Sequence, residues 1–186
     1  MPHIAIWVAL LLSAATPVWA DAYCDELWLL RNQLFDRAGY CFSSPLGQAV
    51  FGNDDCTTTV PELDPSASRM VAEIRDFEAI ENCRVDTTRT ELDVPHLATR
   101  LALIDLPVWG LGESACLGWR GPPLILRSGR SDSAPMTGVI ETGENILLMY
   151  ADVDGWSFVP SPDGDARMGW VRLPRLDATS CDGLAG

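Results

Sequence analysis

Residues 27–42 read LWLLRNQLFDRAGYCF, and the way this stretch runs and stops sets the character of the first half of the chain. Leu27, Leu30, Leu34 and Ala38 recur at helical spacing with Trp28 and Phe35 beside them, which predicts a helix over 24–38 with one apolar face. Asp25 and Glu26 fall in its expected first turn, where the helix dipole favours acids. Gly39 suits the position just past the helix end, where positive φ is cheap for glycine. Tyr-Cys-Phe then leaves in an extended direction. Arg31 shares a face with Leu27 and Leu34, so its charge must be paired or solvated. It is either a clasp to an acid or to carbonyls of the exit segment, or, with Arg37, a site for a carboxylate ligand. The two arginines are six residues apart and do not point the same way on one helix. Asn32 is expected to hold a loop through bonds to backbone. Tyr40 and Phe42 alternate with Cys41, so the aromatics face a core while Cys41 faces Cys56, or the reverse.

Before this helix, IAIWVALLLSAATPVWA carries an apolar run of about a dozen residues, the length of a signal peptide core. Val18 and Ala20 suit the −3 and −1 positions of a cut, so residues 1–20 are expected to be a signal peptide. A membrane span needs about 20 apolar residues. Pro17 interrupts this run, and no other stretch is long enough. The chain has 13 arginines, no lysine and 26 acids, a net charge of −13. That charge argues against nucleic acid and against anionic lipid, since both are held by cationic patches. Residues 21–116 hold 17 acids and 7 Arg, and residues 117–186 hold 9 acids and 6 Arg, a shift that suggests two parts.

A second helix is expected from Asp64-Pro65 to near Asn82, because Asp caps well and Pro is tolerated at the first helical position. PLGQAVF (45–51) predicts a short helical turn and GNDDC (52–56) a turn. A third helix is expected at 95–104, capped by Asp93, with Leu97, Leu101 and Ile104 on one face. LPVWGLGES (106–114) reads as a linker or loop. Beyond Cys116, the runs LILRSG, MTGVI, NILLMY, GWSFV and MGWVRL are separated by Gly, Pro, Asp and Ser. Five strands in about 55 residues suggest a small, strongly bent barrel.

LILRSGRSDSAPMTGVIETGEN, then VDGWSFV, then MGWVRLP, resemble a bacterial SH3-like domain over about 120–174. LWLLRN (27–32), FDRAGYCF (35–42) and AVFGN (49–53) resemble the YARHG-type segment of exported bacterial proteins. Phe35, Asp36 and Ala38 stand where that signature has tyrosine, alanine and histidine, while Arg37 and Gly39 are retained. The expected architecture is therefore α+β. A small disulfide-linked helical domain at 21–115 precedes an SH3-like five-stranded barrel at 116–178 and a tail at 179–186. The resemblances imply a cell-envelope setting and cell-wall or peptide binding, without implying a reaction.

All six cysteines follow the expected cut, and an even count in an exported chain reads as a disulfide set. Six cysteines allow 15 pairings. Cys24 opens the first helix and Cys83 closes the second, so antiparallel helices would bring them together. Cys41 and Cys56 flank a local loop, and Cys116 and Cys181 bracket the barrel, whose ends commonly lie close. These three pairs are the expectation. The absence of CxxC argues against structural zinc and thioredoxin-like chemistry.

Trp156 and Trp170 each follow a glycine in an expected strand, and either pack in the core or line a groove for a peptide or glycan. Trp119 could cover one end of the barrel. DVDG (152–155) and DGD (163–165) hint at calcium, but an EF-hand loop needs further oxygen ligands and a late Glu. No metal and no cofactor is expected. His96 is the only histidine after the signal segment, and no GxSxG elbow occurs. No catalytic residue is assigned. The expected function is that of a non-catalytic exported binding or interaction protein of the envelope. Its expected partner is peptidoglycan, a peptide or another exported protein; the rival reading is a wall-active hydrolase, or an inhibitor or partner of one.

Overall fold

The computed structural model describes residues 18–160 and 165–186, with side chains from residue 22 onward apart from Leu111. The expected signal segment at 1–20 falls mostly outside that range. Helices α1 (Val18–Arg37), α2 (Pro45–Phe51), α3 (Pro65–Ile80) and α4 (Leu97–Leu101) lead into the strands. These are β1 (Trp109–Trp119), β2 (Leu124–Arg127), β3 (Met136–Ile140), β4 (Ile146–Tyr150), β5 (Ser157–Pro160), β6 (Met168–Val171) and β7 (Cys181–Ala185).

Helix α1 stops as its sequence suggests. Gly39 has φ 76°, and the Thr57 side chain lies where a Cβ would be placed. The Gly39 carbonyl accepts from the Thr57 and Thr58 amides, and Cys41 N–H donates to Thr58, so the exit segment is tied to residues 57–58. The helix begins earlier than expected. Asp25 and Glu26 therefore lie about two turns inside it, and they meet arginines rather than the helix dipole. Helix α3 follows its signals, with the Asp64 carboxylate accepting from the Ser66 and Ala67 amides.

The third helical expectation needs correction. Helix α4 covers only Leu97–Leu101, and His96 precedes it in the left-handed region with no side-chain cap. Asp93 is not the cap; its N–H donates to Asp25. Ile104 does not share the buried face and is exposed, because its N–H reaches across to the Ser128 carbonyl at 2.7 Å and draws the chain toward the sheets.

All five expected strands are present as β2–β6, but they do not close into one five-stranded barrel. One sheet has the order β4-β1-β7 and the other β3-β2-β6-β5, with every strand pair antiparallel. Two elements account for the difference. The stretch expected as a loop at 106–114 is strand from Trp109 onward, and β1 runs unbroken across the expected boundary at 115/116. The expected tail at 179–186 supplies β7, which pairs with Ala115–Trp119. DVDG is a hairpin turn: Asp154 and Gly155 both have positive φ between the paired Val153 and Trp156, the conformation that Asp-Gly favours in two-residue hairpins.

Disulfides join Cys24 to Cys83, Cys41 to Cys56 and Cys116 to Cys181, the pairs expected from their positions. The first staples α1 to the end of α3, and the last joins β1 to β7. One apolar core is shared by both halves. Leu27 and Leu30 of α1 and Ile74 of α3 pack with Leu103 and Leu106, and with Tyr150, Trp156, Phe158, Met168 and Trp170 of the strand region. A second cluster lies between the sheets around Cys116, Trp119, Leu126, Ile146 and Val171.

Candidate ligand-binding cleft

The polar residues of the opening stretch are engaged within the protein. Arg31 Nε donates to both carboxylate oxygens of Glu78 at 3.0 Å, tying α1 to α3. Arg37 donates to the carbonyls of Leu103 and Ile104. Asn32 donates to the Trp28 carbonyl within its own helix, not to a loop. Tyr40 is half-buried and meets Phe42 edge-on at 4.9 Å. Arg31 and Arg37 therefore do not converge on a carboxylate.

Nearer the helix start lies a buried polar node. Glu26 accepts from Arg100 and from the Tyr150 hydroxyl, both at 2.5 Å. Arg100 also donates to the Pro95 carbonyl. Burial opposes the Arg100 charge, but Glu26 and Tyr150 outweigh it and hold the guanidinium proton more tightly than usual. Burial, then the Glu26 charge, push the Tyr150 phenol well above its ordinary value. This node joins α1, the chain around α4, and β4. Tyr150 and Arg100 are both buried.

The groove reading of the two tryptophans is also corrected. Trp170 is 0% and Trp156 4% exposed. The Trp170 indole donates to the Asp105 carbonyl at 2.8 Å, with the Arg130 guanidinium 5.2 Å from its ring centre. Arg172 covers Trp156 at 4.5 Å. Both rings are core, each roofed by an arginine. Trp119 is buried in the second cluster and donates to the Pro122 carbonyl.

A cleft lies elsewhere, between β1, the end of β4 and the segment 173–176, with a volume of about 770 Å³. Gly110, Gly112 and Ser114 line it from β1, with Trp109, Leu148 and Tyr150 beside them. The Gly-x-Gly-x-Ser run puts little side chain on this stretch: a Cβ at Gly110 would lie 3.1 Å from the Met149 carbonyl oxygen, so that glycine lets β1 approach β4 closely. A Cβ at Gly112 would meet nothing within 4 Å. Between the pairs Trp109–Tyr150 and Ser114–Leu148, four β1 residues oppose the single Met149. A bulge of that size leaves backbone groups of 110–113 that β4 cannot match. Opposite stand Leu173, Pro174 and Arg175. Asp152 and Ser157 complete the rim, with the Ser157 hydroxyl donating to Asp152 at 2.6 Å. Arg175 and Asp152 are both exposed, giving the rim one charge of each sign.

Among the described residues, no three His, Cys, Asp or Glu side chains lie close enough to hold a metal ion. None of the six cysteines is free. Sequence reasoning misses this cleft because WGLGES reads as a linker or loop. Its period-2 run of small residues was the available signal.

Residues 82–186, more than half of the chain, match the model of a domain of unknown function, DUF4453. The chain belongs to this family. Residues 4–79 match the model of the YARHG domain. No curated protein and no solved structure matches the chain. Every residue lining the large cleft falls inside the DUF4453 segment. The YARHG segment instead supplies α1 and α3, whose apolar faces pack against DUF4453 residues Tyr150, Phe158 and Trp170.

Proposed function

We propose that this protein is a non-catalytic, exported binding protein of the cell envelope, holding an extended peptide such as a peptidoglycan stem in the cleft between β1 and segment 173–176. The observation that carries this reading is the bare, bulged β1 floor. A peptide backbone can approach a strand closely only where side chains do not intervene, and unpaired strand groups are what it bonds to. Trp109 and Leu148 offer apolar walls, and Arg175 and Asp152 offer one charge of each sign to a ligand carrying both. Export is supported by the signal-like segment at 1–20 and by three disulfides, which persist in oxidising compartments. Among the described residues, no helix is long and apolar enough to cross a membrane.

The test is sedimentation with purified peptidoglycan and binding to a peptide array, using the full chain and Gly112→Phe. The substitution points a ring into open space and leaves the core untouched, so folding is retained while the cleft is blocked. Binding that survives it places the ligand elsewhere. A turnover assay on the same peptidoglycan separates the binder from a wall-active hydrolase. Among the lining residues the only acid is Asp152, which is already bonded to Ser157.

A further inference from the structure

A second cleft, of about 460 Å³, opens where the C-terminal end of α1 meets α2 and the chain after α4. Gln33, Asp36 and Arg37 line it from α1, Phe51 from α2, and Leu103 from beyond α4. Gln33 and Asp36 are three apart, so they are neighbours on one helical face.

Two acceptors here are without donors. Gln33 is 2% exposed, and its Nε2 donates to the carbonyls of Arg100 and Leu101 at 3.1 and 3.2 Å. Those two bonds fix which way the amide is turned. They leave Oε1 buried with no partner among the described residues, and a buried acceptor without a donor costs about 1–3 kcal/mol. The Asp36 carboxylate, half-buried, also receives no hydrogen bond among the described residues. Its sequence neighbour Arg37 is turned to the carbonyls of Leu103 and Ile104 instead. Burial and then the Asp55 charge raise the Asp36 carboxyl, against a smaller opposing effect of Arg37. Asp105 acts on Arg37 from the other side. Asp36 thus carries a carboxylate that the neighbouring Arg37 guanidinium, committed to two backbone carbonyls, does not bond.

Acceptors call for a donor, the unbonded Asp36 carboxylate calls for a cation, and the walls of Phe51 and Leu103 call for a hydrocarbon stem. Phe51 already stacks on Phe42 at 4.8 Å, which steadies its ring as a wall. The chain contains no lysine and cannot fill the cleft with an ammonium side chain of its own. We propose that this cleft binds an aliphatic ammonium group, the lysine-type side chain of a partner peptide, with Asp36 and Gln33 Oε1 as its acceptors and Phe51 and Leu103 along its stem. It is the opposite of the carboxylate site that Arg31 and Arg37 suggest in the sequence.

The experiment is an NMR titration of the ¹⁵N-labelled full chain with Nα-acetyl-lysine methylamide. Nα-acetyl-norleucine methylamide serves as the uncharged control of equal stem. The lysine probe is expected to shift the Gln33 side-chain amide and the Phe51 and Gly52 backbone amides, and norleucine to leave them in place. Asp36→Asn, which removes no hydrogen bond of the fold, is expected to weaken the lysine probe about tenfold, as loss of a charge-assisted bond implies. Equal binding of the two probes, an unchanged affinity in Asp36→Asn, shifts confined to Gly112 and Asp152, or no shift at all would each overturn the proposal.

Discussion

Replacing Arg100 by Met tests whether the two halves of the chain are one cooperative unit. Arg100 is 8% exposed and bonds Glu26, which in turn holds the Tyr150 hydroxyl. Methionine fills the space of the arginine stem but leaves the Glu26 carboxylate facing a phenol, with no cation beside it. Breaking a buried pair from one side costs about 3 kcal/mol at the low end, which for a domain of this size lowers Tm by about 6–12 °C. Thermal unfolding, in a Trp28→Phe background, followed at once by far-ultraviolet circular dichroism, for the helices, and tryptophan fluorescence, for the strand region, should show one coincident transition at the lower temperature. Adding Glu26→Gln should restore more than half of the loss, because no charge is then stranded and the glutamine oxygen still accepts from Tyr150. A helical signal that melts apart from the fluorescence would refute the shared core. So would a loss in Arg100→Met that Glu26→Gln does not relieve, since the cost would then come from packing and not from the charge.

Other measurements bear on separate features. Removing Cys116–Cys181 by paired serine substitutions opens a closure 65 residues long, against 15 for Cys41–Cys56; chain entropy puts the losses at about 4 and about 3 kcal/mol, and denaturant titration should keep that order. Gly39→Ala should destabilise by about 1 kcal/mol or more, because φ is 76° there and Thr57 occupies the Cβ position, and Thr57→Ala should relieve part of it. Tyr150 holds its proton well above 10.0 in the folded state, so folded stability that is full below the ordinary value falls as pH climbs beyond it; absorbance at 295 nm should show this phenol ionising only as the protein unfolds in alkali. Asp36 has a carboxyl raised above 3.8, so its contribution is lost as pH rises through that raised value. Asp36→Asn should accordingly be slightly more stable than the natural chain above this window and equal to it below 3.8, as a Tm series against pH would report.

Helix α3 and the stop of α1 were legible because each rests on local chemistry: an Asp-Pro start, and a glycine where positive φ is required. The five strands β2–β6 were legible from their apolar runs and turn residues. β1 and β7 were not, because WGLGES and CDGLAG are rich in glycine and carry little strand propensity. Their pairing comes from long-range partners, β4 on one side and the Cys116–Cys181 bond on the other. The length of α4 was overread for a related reason: Ile104 fits a helical period, yet the Ser128 carbonyl captures its amide. Trp156 and Trp170 showed why an aromatic in a strand cannot be assigned to core or groove from sequence. What decides it is whether Arg172 and Arg130 roof them. The large cleft was in plain view as Gly110, Gly112 and Ser114, but a run of small residues acquires meaning only once it is known to lie on one strand.

The core that α1 and α3 share with β4, β5 and β6 also bears on descent. The two family segments meet at about residue 80, and a rearrangement that parted them there would leave Leu27, Leu30 and Ile74 facing water on one product and Tyr150, Phe158 and Trp170 on the other. Neither product would be a finished molecule. In this chain each segment supplies the apolar face that the other lies on.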